Sequence, residues 1–219
     1  RNVKEIRISM SEKERIFYDS ISEEVKRFAD KKEISRGFLL ASPQRMISSS
    51  MPAALKRWKN SHIFDLNEES ELNDIDLEIE EKINLLEKPL TERLSIACKN
   101  WNLQEIIQSD NKILKLLDLI NNEYKGEKVL IFTSFRTTIS YLETRLLEEG
   151  ISFISIHGGI KGDLRQKNLN EFKNNTHQVL LSSEVGSEGL DLQFCKHLIN
   201  YDLPWNPMKV EQRIGRIDR

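Results

Sequence analysis

"KVLIFTSF", residues 128–135, is a short run of apolar and β-branched residues that ends in small polar ones. Such a run predicts a strand that is buried on both faces of a sheet. Three further runs of this kind follow it: "SFISIH" (152–157), "QVLLSS" (178–183) and "HLINYD" (197–202). Stretches long enough to form helices separate the four runs. Strands that alternate with helices predict an α/β fold with a parallel sheet covered on both faces.

The loops after the four predicted strands are the places to look for a site. In open α/β sheets, ligands bind where the carboxyl ends of the strands open into loops. The loops after the first three strands are rich in hydroxyl and glycine residues, which suit a phosphate approached by backbone N–H groups. Each loop taken singly also fits a helix cap or a plain turn. The candidate loops are residues 133–137, 157–163, 183–191 and 202–207.

The composition excludes several classes of protein. The 219 residues carry a net charge of −2, so any contact with a polyanion has to be local. The two cysteines lie far apart and the four histidines are scattered, which predicts reduced thiols and no metal site. The longest clean apolar run, "VLIF" (129–132), is far shorter than the roughly 20 residues of a membrane helix. The chain begins at Arg1 rather than at methionine, and we interpret it as a piece of a longer protein.

The first part of the chain has a different, helical pattern. "SEKE" (11–14) has the form of a capping box, and an apolar stripe at helical spacing follows it. Before it, "EIRIS" (5–9) alternates and is a candidate short strand. Residues 36–60 predict two helical pieces, broken near Pro43 and the serines at 48–50.

An acidic stretch interrupts the helical pattern of this part. Residues 65–81 hold nine acidic residues and no basic one, which is typical of a solvated linker. Helical periodicity returns over residues 82–104. We therefore predict a helical subdomain with an acidic linker over residues 1–104, and an α/β lobe over residues 105–219.

The chain ends on "VEQRIGRIDR" (210–219), which poses a choice between two interpretations. If the run is helical, Gln212, Arg216 and Arg219 lie at i, i+4 and i+7 on one face, while Arg213 points elsewhere. That face is either simply solvated or a set of guanidinium groups directed at a phosphate. The spacing alone does not decide between them.

The order of the motifs resembles a known family. "KVLIFTSF", "HGG" (157–159), "SSEVGSEGLDLQFCKHLINYDLPWNP" (182–207) and "EQRIGRIDR" (211–219) together look like the second RecA-like lobe of superfamily-two helicases and translocases. "YDLPWNP" and "QRIGRIDR" are similar to the Swi/Snf-type branch. "RMISSSMPAAL" (45–55) and "SEVGSEGLDLQF" are similar to bacterial RNA-polymerase-associated ATPases. The resemblance covers residues 105–219 closely and residues 1–60 loosely.

The resemblance implies roles for the nucleotide-facing residues. Arg216 and Arg219 match the arginine fingers of the final motif, and Gln212 matches its first position. Gly189 and Asp191 match the segment near the nucleotide sugar. Asp218 stands where many remodelling ATPases have histidine, which is a departure from the Swi/Snf-type pattern.

It also implies a nucleic-acid face. Four residues match loops that contact the nucleic-acid backbone: Ser134, Arg136, Gly158 and Ser183. Arg165, in "DLRQKNLNEF", matches a position tied either to structure or to strand contact.

Two motifs of the family are absent from these 219 residues. Neither GxxxxGK[ST] nor a DExH or DEAD box occurs, and in this family the first lobe holds them and binds the triphosphate with Mg²⁺. The resemblance thus implies a half-site that needs ATP, Mg²⁺, double-stranded DNA and the N-terminal RecA-like lobe of the same protein, and that is inactive alone. No membrane partner is expected. The location would be cytoplasmic and nucleoid-associated in a bacterium, or nuclear in a eukaryote.

Two alternatives stay open at this point. One is an RNA helicase lobe of the same superfamily. The other is a non-catalytic module whose helical half binds a protein partner.

Overall fold

The computed structural model describes eight segments of the chain, with side chains in the second of them from residue 42 onward. These are residues 3–32, 36–60, 89–174, 177–183, 186, 189–190, 192–204 and 206–217. The acidic stretch 65–81 lies outside the described residues.

The part of the chain before residue 110 is helical where it is described. Ser11 caps the first helix through a complete capping box, because its hydroxyl accepts from Glu14 N while the Glu14 carboxylate accepts from Ser11 N. This confirms the prediction from "SEKE". The helices are α1 (Glu12–Lys31), α2 (Arg36–Ser49), α3 (Met51–Lys59), α4 (residues 89–98) and α5 (Leu103–Gln108).

Two local predictions in this part need correction. The strand predicted at "EIRIS" is wrong, because residues 3–10 form neither strand nor helix. Contacts between Lys4 and Glu123 and between the Asn111 amide and Ser9 O hold this segment instead of a partner strand. The predicted break near Pro43 is also wrong, since α2 continues through that residue, but the predicted break at the serines is confirmed, since α2 ends at Ser49 and Ser50 caps α3.

The predicted parallel sheet is confirmed. Its strands are β1 (Val129–Phe132), β2 (Phe153–Ile156), β3 (Val179–Ser182) and β4 (His197–Asn200). The order across the sheet is β2-β3-β1-β4, and every pair is parallel. The two central strands, β1 and β3, are buried along their whole length, as their uninterrupted apolar character predicts.

Helices connect the strands and cover the sheet. Asp110 caps the helix before β1 by accepting from Lys112 N and Ile113 N, and this helix passes into a π-helical turn at Leu119–Glu123. The side chain of Gln178 donates to Ile120 O and Tyr124 O and so satisfies two carbonyls at that turn. The helices are α6 (Asn111–Asp118), α7 (Arg136–Glu148), α8 (Gly162–Asn174) and α9 (Pro207–Ile214).

Alternate residues of the central strands enter two cores, one on each face of the sheet. Ile131 and Leu181 pack with α6 and α7 on one face. Leu130 and Leu180 pack with α8 on the other. The period-2 alternation of strand side chains is the cause, and the result is the three-layer α/β architecture of a RecA-like lobe.

A third core lies among the helices before residue 110, and α3 contributes to two of the three. Ala54, Leu55 and Trp58 face the helical core, which also contains Phe17. Ala53 faces the sheet core beside α7. The described helical part therefore packs directly on the lobe, and the domain boundary at residues 104–105 stays a prediction.

The loop after β3 approaches the end of β2 so closely that only glycine fits at position 186. A Cβ on Gly186 would lie 2.3 Å from Ile156 O and 2.7 Å from the Cα of His157. Both atoms belong to backbone, which cannot swing aside as a flexible side chain can. Gly186 N also donates to Ser183 Oγ, and Ser183 N donates to Ile156 O. The backbone contact, rather than a special φ, therefore requires the glycine.

We expect Gly186→Ala to destabilise the chain by about 1–3 kcal/mol or more, the usual range for overpacking a well-packed site. In a chain of this size each kcal/mol corresponds to a Tm shift of about 2–4 °C. Gly162→Ala is the matched control, since a Cβ there meets no atom within 4 Å. That control is expected to be neutral or stabilising by about 0.4–1 kcal/mol. Equal melting curves for the two variants would contradict the close approach.

Among the residues that the structure describes, no helix combines the length and apolarity that crossing a membrane requires. Cys98 and Cys195 are free and buried, and burial raises the pKa of each thiol from 9.0 to about 12. Both are structural side chains of the cores.

Candidate functional site

The loops after the strands meet at one edge of the sheet, as predicted. Thr133 N donates to Ser182 O, which joins the end of β1 to the end of β3. Tyr201 N donates to Phe132 O and joins the end of β4 to that of β1. Parallel pairing places all four carboxyl ends on the same side, so the candidate loops form one continuous edge.

Asp202, just after β4, is the centre of a buried polar cluster at this edge. Its Oδ1 accepts from Ser134 N at 3.0 Å and from Ser134 Oγ at 2.9 Å. Its Oδ2 accepts from Thr133 Oγ1 and Ser49 Oγ, each at 2.6 Å. Short hydrogen bonds to a carboxylate are the strong ones, so this side chain fixes the loop after β1 against the end of β4.

Arg213 joins the same cluster from helix α9. Its side chain is 2% exposed, and Nη1 donates to Asp202 O at 2.8 Å and to Asn200 Oδ1 at 3.0 Å. Nη2 donates to Ser134 Oγ and lies 3.8 Å from Asp202 Oδ1. The guanidinium carbon lies 5.4 Å from the centre of the Phe132 ring. Arg213 is thus an internal anchor that holds α9 to the strand ends.

Arg216 differs from Arg213 in its surroundings. It is half-buried, and across the described part of the chain its guanidinium makes no hydrogen bond or ion pair. Gln212 is exposed on α9, and Arg216 lies just after the end of that helix. The predicted helix over 210–219 is shorter than expected, because α9 ends at Ile214 and Gly215–Ile217 form a turn. Close packing does not explain Gly215, since a Cβ there would meet only the carbonyls of Glu211 and Gln212 in its own helix.

Arg136 connects two of the edge loops. It is the first residue of α7, and its guanidinium lies so near Gly159 that a Cβ there would stand 3.3 Å from three of its atoms. Gly158 is exposed beside it. Arg165 donates from Nη2 to Ile160 O and supports the same loop from α8. The loop after β2 is therefore held between two arginine side chains, with its glycine backbone facing solvent.

The remaining predicted site residues lie at the edge but differ in exposure. Ser134 is 8% exposed and Ser183 is 1% exposed, and both hydroxyls are used in internal hydrogen bonds. Gly189 is exposed, with φ +76°, a conformation that favours glycine. Asp191 and Arg219 lie outside the described residues. The structure thus brings the described site residues to one edge, while the role of each stays a prediction.

Lys112 of α6 contacts residues next to this cluster. Lys112 donates from Nζ to Ser48 O at 2.8 Å and to Ser49 O at 2.9 Å, and lies 4.2 Å from the centre of the Tyr201 ring. Burial lowers the pKa of Lys112 to about 8, and Asp202 and Asp110 oppose that shift. Burial also raises the pKa of Asp110, which accepts from Tyr141 OH at 2.9 Å.

Sequence reasoning missed the two residues that organise the edge, Asp202 and Arg213, and also Ser49. Asp202 had a usable signal, because it is the acidic residue that ends the last strand run. The only signal for Arg213 was that it points away from the helix face predicted to carry Gln212, Arg216 and Arg219. Ser49 lies within "RMISSSMPAAL", but nothing in that stretch links it to its partner Asp202, which lies 153 residues later.

The fold and the edge loops define the class of this part of the chain as a RecA-like lobe. Residues 111–219 match the family described as Helicase conserved C-terminal domain and belong to it. The resemblance to the second lobe of superfamily-two helicases of the Swi/Snf type is thereby confirmed.

Several curated proteins are similar to this lobe. The chain is 46% identical over 113 residues to the uncharacterized ATP-dependent helicase YqhH of Bacillus subtilis, covering 52% of this chain and 20% of that protein. It is 42% identical over 137 residues to the RNA polymerase-associated protein RapA of Vibrio parahaemolyticus, covering 56% and 14%. It is 33% identical over 115 residues to the DEAD-box ATP-dependent RNA helicase 35A of rice, covering 52% and 18%. The chain therefore spans a fifth or less of the length of these relatives.

One solved structure extends the likeness to nearly the whole chain. The C-terminal part of the Fun30 ATPase domain superposes with a TM-score of 0.59 at 21% identity, covering 98% of this chain and 78% of that one. This supports the fold, including the helical part before the lobe.

Proposed function

We propose that this chain is the C-terminal lobe of an ATP-dependent translocase that acts on double-stranded DNA. ATP would bind between this lobe and an N-terminal RecA-like lobe of the same protein. The helicase C-terminal family, and the similarity of this chain to an ATP-dependent helicase, support the ATP-driven part of the proposal. A second lobe is needed in this proposal because the 219 residues contain no P-loop motif to bind the triphosphate.

The observation that carries the proposal is the contrast between Arg213 and Arg216. Arg213 uses its guanidinium internally to anchor α9, whereas Arg216 has no polar partner among the described residues. A guanidinium held on an anchored turn and left unpaired suits the charge that develops on a transferring phosphoryl group. We assign Arg216 this role, together with Arg219, and we place Gln212 beside the same phosphates.

The nucleotide sugar would lie near Gly189 and Asp191. Gly189 supports this placement because it is exposed and carries no side chain to block the approach of a ligand. Mg²⁺ would be held by the other lobe, where it neutralises phosphate charge.

The nucleic-acid backbone would cross the loops after β1, β2 and β3. Arg136 and the exposed backbone at Gly158 supply a cation and N–H groups at this surface, and Ser134 and Ser183 are buried in the neighbouring loops. Such contacts position a duplex without reading its sequence. They also agree with the chain's net charge of −2, because a few local contacts suffice.

The choice of DNA over RNA rests on the Swi/Snf-type motifs. The rice relative is an RNA helicase by its name, so RNA is the second candidate substrate. In a bacterium the protein would act in the cytoplasm at the nucleoid, and in a eukaryote in the nucleus.

The test compares the 219-residue chain with the complete protein, meaning the natural chain that joins these residues to the proposed N-terminal lobe. ATP hydrolysis is measured without nucleic acid, with a DNA duplex, and with an RNA duplex and an RNA strand of matched length. We expect the complete protein to be stimulated most by duplex DNA. We expect the 219-residue chain to show no stimulated hydrolysis.

Each possible failure has a separate meaning. Stimulation by RNA alone would replace the proposed substrate with the second candidate. Robust hydrolysis by the pure 219-residue chain would contradict the half-site. Absence of nucleotide binding by the complete protein would leave a non-catalytic interaction module as the function.

A further inference from the structure

A hydroxyl from the helical part of the chain reaches the centre of the edge cluster. Ser49 is the last residue of α2 and is 0% exposed. Its Oγ lies 2.6 Å from Asp202 Oδ2 and 2.8 Å from Thr138 Oγ1. Thr138 lies in the first turn of α7. Ser49 therefore contacts both Asp202, just after β4, and the helix that follows β1.

The proton arrangement at Ser49 is set by the acceptor. A serine hydroxyl has one proton to donate and two lone pairs. Ser49 Oγ donates its hydrogen bond to the Asp202 carboxylate. Its lone pairs can then accept a hydrogen bond from Thr138 Oγ1. Oδ2 also receives Thr133 Oγ1 at 2.6 Å. With these donors in place, the carboxylate is held in a single orientation.

The backbone at Ser49 is fixed as well. Lys112 donates to Ser48 O and Ser49 O at the carboxyl end of α2, where free carbonyls and the helix dipole favour a cation. Lys112 belongs to α6 of the lobe and lies over the ring of Tyr201, which directly precedes Asp202. The side chain and the main chain of Ser49 are therefore both tied to the lobe.

The cluster leads from Ser49 to the turn that carries Arg216. Asp202 Oδ2 accepts a hydrogen bond from Ser49 Oγ. Its main-chain oxygen accepts one from Arg213 Nη1 at 2.8 Å. Arg213 is followed after three residues by Arg216, and Arg216 N donates to Arg213 O at 3.2 Å. One side chain and one helical turn thus separate the Asp202 contact from Arg216.

We infer that Ser49 is a positioning residue: through Asp202 and Arg213 it sets the place of the turn that carries Arg216. The inference rests on the proposed function, in which Arg216 meets the triphosphate. It assigns the helical part before the lobe a role in hydrolysis.

The first experiment removes the hydroxyl in the complete protein. Ser49→Ala is expected to lower kcat for ATP hydrolysis by about 10- to 100-fold, the size expected for misplacing a catalytic group by roughly 1 Å. The KM for ATP and the affinity for duplex DNA should stay within about twofold, because Ser49 touches neither ligand. Ser48→Ala is the matched control, since the Ser48 side chain is exposed and only its carbonyl is used. A Ser49→Ala enzyme with the wild-type kcat would overturn the inference.

A second variant covers the case in which Ser49→Ala fails to fold. Thr138→Val removes the donor to Ser49 but keeps nearly the same side-chain volume, and Thr138 does not bond Asp202 in the described structure. A smaller loss of kcat with unchanged KM is expected. An unchanged kcat in a folded Thr138→Val protein, with Ser49→Ala unfolded, would count against positioning by Ser49.

A double-mutant cycle separates positioning from general weakening of the fold. Arg216→Lys keeps the charge but loses the fork, and its residual turnover allows the cycle to be measured. If Ser49 acts through Arg216, adding Ser49→Ala to Arg216→Lys should lower kcat much less than it does in the wild type. Fully multiplicative losses would overturn the inference.

The cycle also distinguishes the positioning role from the proposed function. Wild-type turnover in Arg216→Lys and Arg216→Ala would contradict the proposed function itself. Loss of turnover in those variants, with full activity in Ser49→Ala, would contradict only the positioning role.

Discussion

Replacing Arg216 by alanine in the complete protein is expected to lower kcat for ATP hydrolysis by about 10³- to 10⁵-fold, the range measured for arginine fingers. The guanidinium would act on charge that develops in the transition state, so nucleotide binding in the ground state should change little. Stability should also change little, because this side chain makes no polar contact among the described residues. Single-turnover hydrolysis, nucleotide titration and thermal unfolding measure the three quantities.

Arg15→Ala is the control, since Arg15 is an exposed arginine on α1, remote in sequence from the edge loops. Its turnover and its melting curve should match those of the wild type. Arg216→Lys should recover only part of the rate, because lysine is a point charge without the planar fork. An Arg216→Ala enzyme that hydrolyses ATP at the wild-type rate would remove the arginine-finger assignment.

Replacing Asp202 by alanine is expected to destabilise the chain by about 3–5 kcal/mol, the usual cost of removing one partner of a buried ion pair. Arg213 would remain 2% exposed without its carboxylate, and Ser134 N would lose its acceptor. At about 2–4 °C per kcal/mol, Tm should fall by roughly 6–20 °C. Urea and thermal unfolding of the 219-residue chain are the measurements.

Two controls show whether the loss of stability comes from the buried pair of Asp202 and Arg213 or from removing an acidic residue in general. Asp19→Ala removes an exposed carboxylate on α1 and should stay within about 0.5 kcal/mol of the wild type. Asp202→Ala combined with Arg213→Met should recover part of the loss, because the buried guanidinium that had faced the carboxylate is then gone. If the double variant is less stable than Asp202→Ala by the full cost of Arg213→Met alone, the two side chains are not coupled as the geometry requires.

The sheet was predictable because its strands carry their own signal. "VLIF" and "VLLS" are almost wholly apolar, and a short run of this kind is typical of a strand buried on both faces of a sheet. The edge loops were predictable from the same fact, since parallel strands bring their carboxyl ends together. Ser11 was readable as a helix cap because capping depends on neighbours within three residues.

The predictions that failed concerned whether a single element forms and where it ends, at "EIRIS", at Pro43 and at the end of α9. "EIRIS" alternates like a strand but has no neighbour strand to pair with among the described residues, and Lys4 and Asn111 contacts hold it instead. The helix at the end of the chain stops at Ile214, and the turn after it carries Arg216. Local periodicity cannot report a missing partner.

The amino-acid sequence by itself determined the α/β class, the four strands, the edge on which the candidate loops meet and the family, because these depend on local patterns and ordered motifs. Only the tertiary structure decided that Arg213 anchors α9 and that the guanidinium of Arg216 makes no polar contact among the described residues. Arg213 and Arg216 differ by three positions in one motif, yet only Arg213 faces Asp202 and Asn200. It alone also brought Ser49 to Asp202 across 153 residues. Such contacts depend on the packing of α2 and α9 against the same strand ends, which no stretch of local sequence encodes.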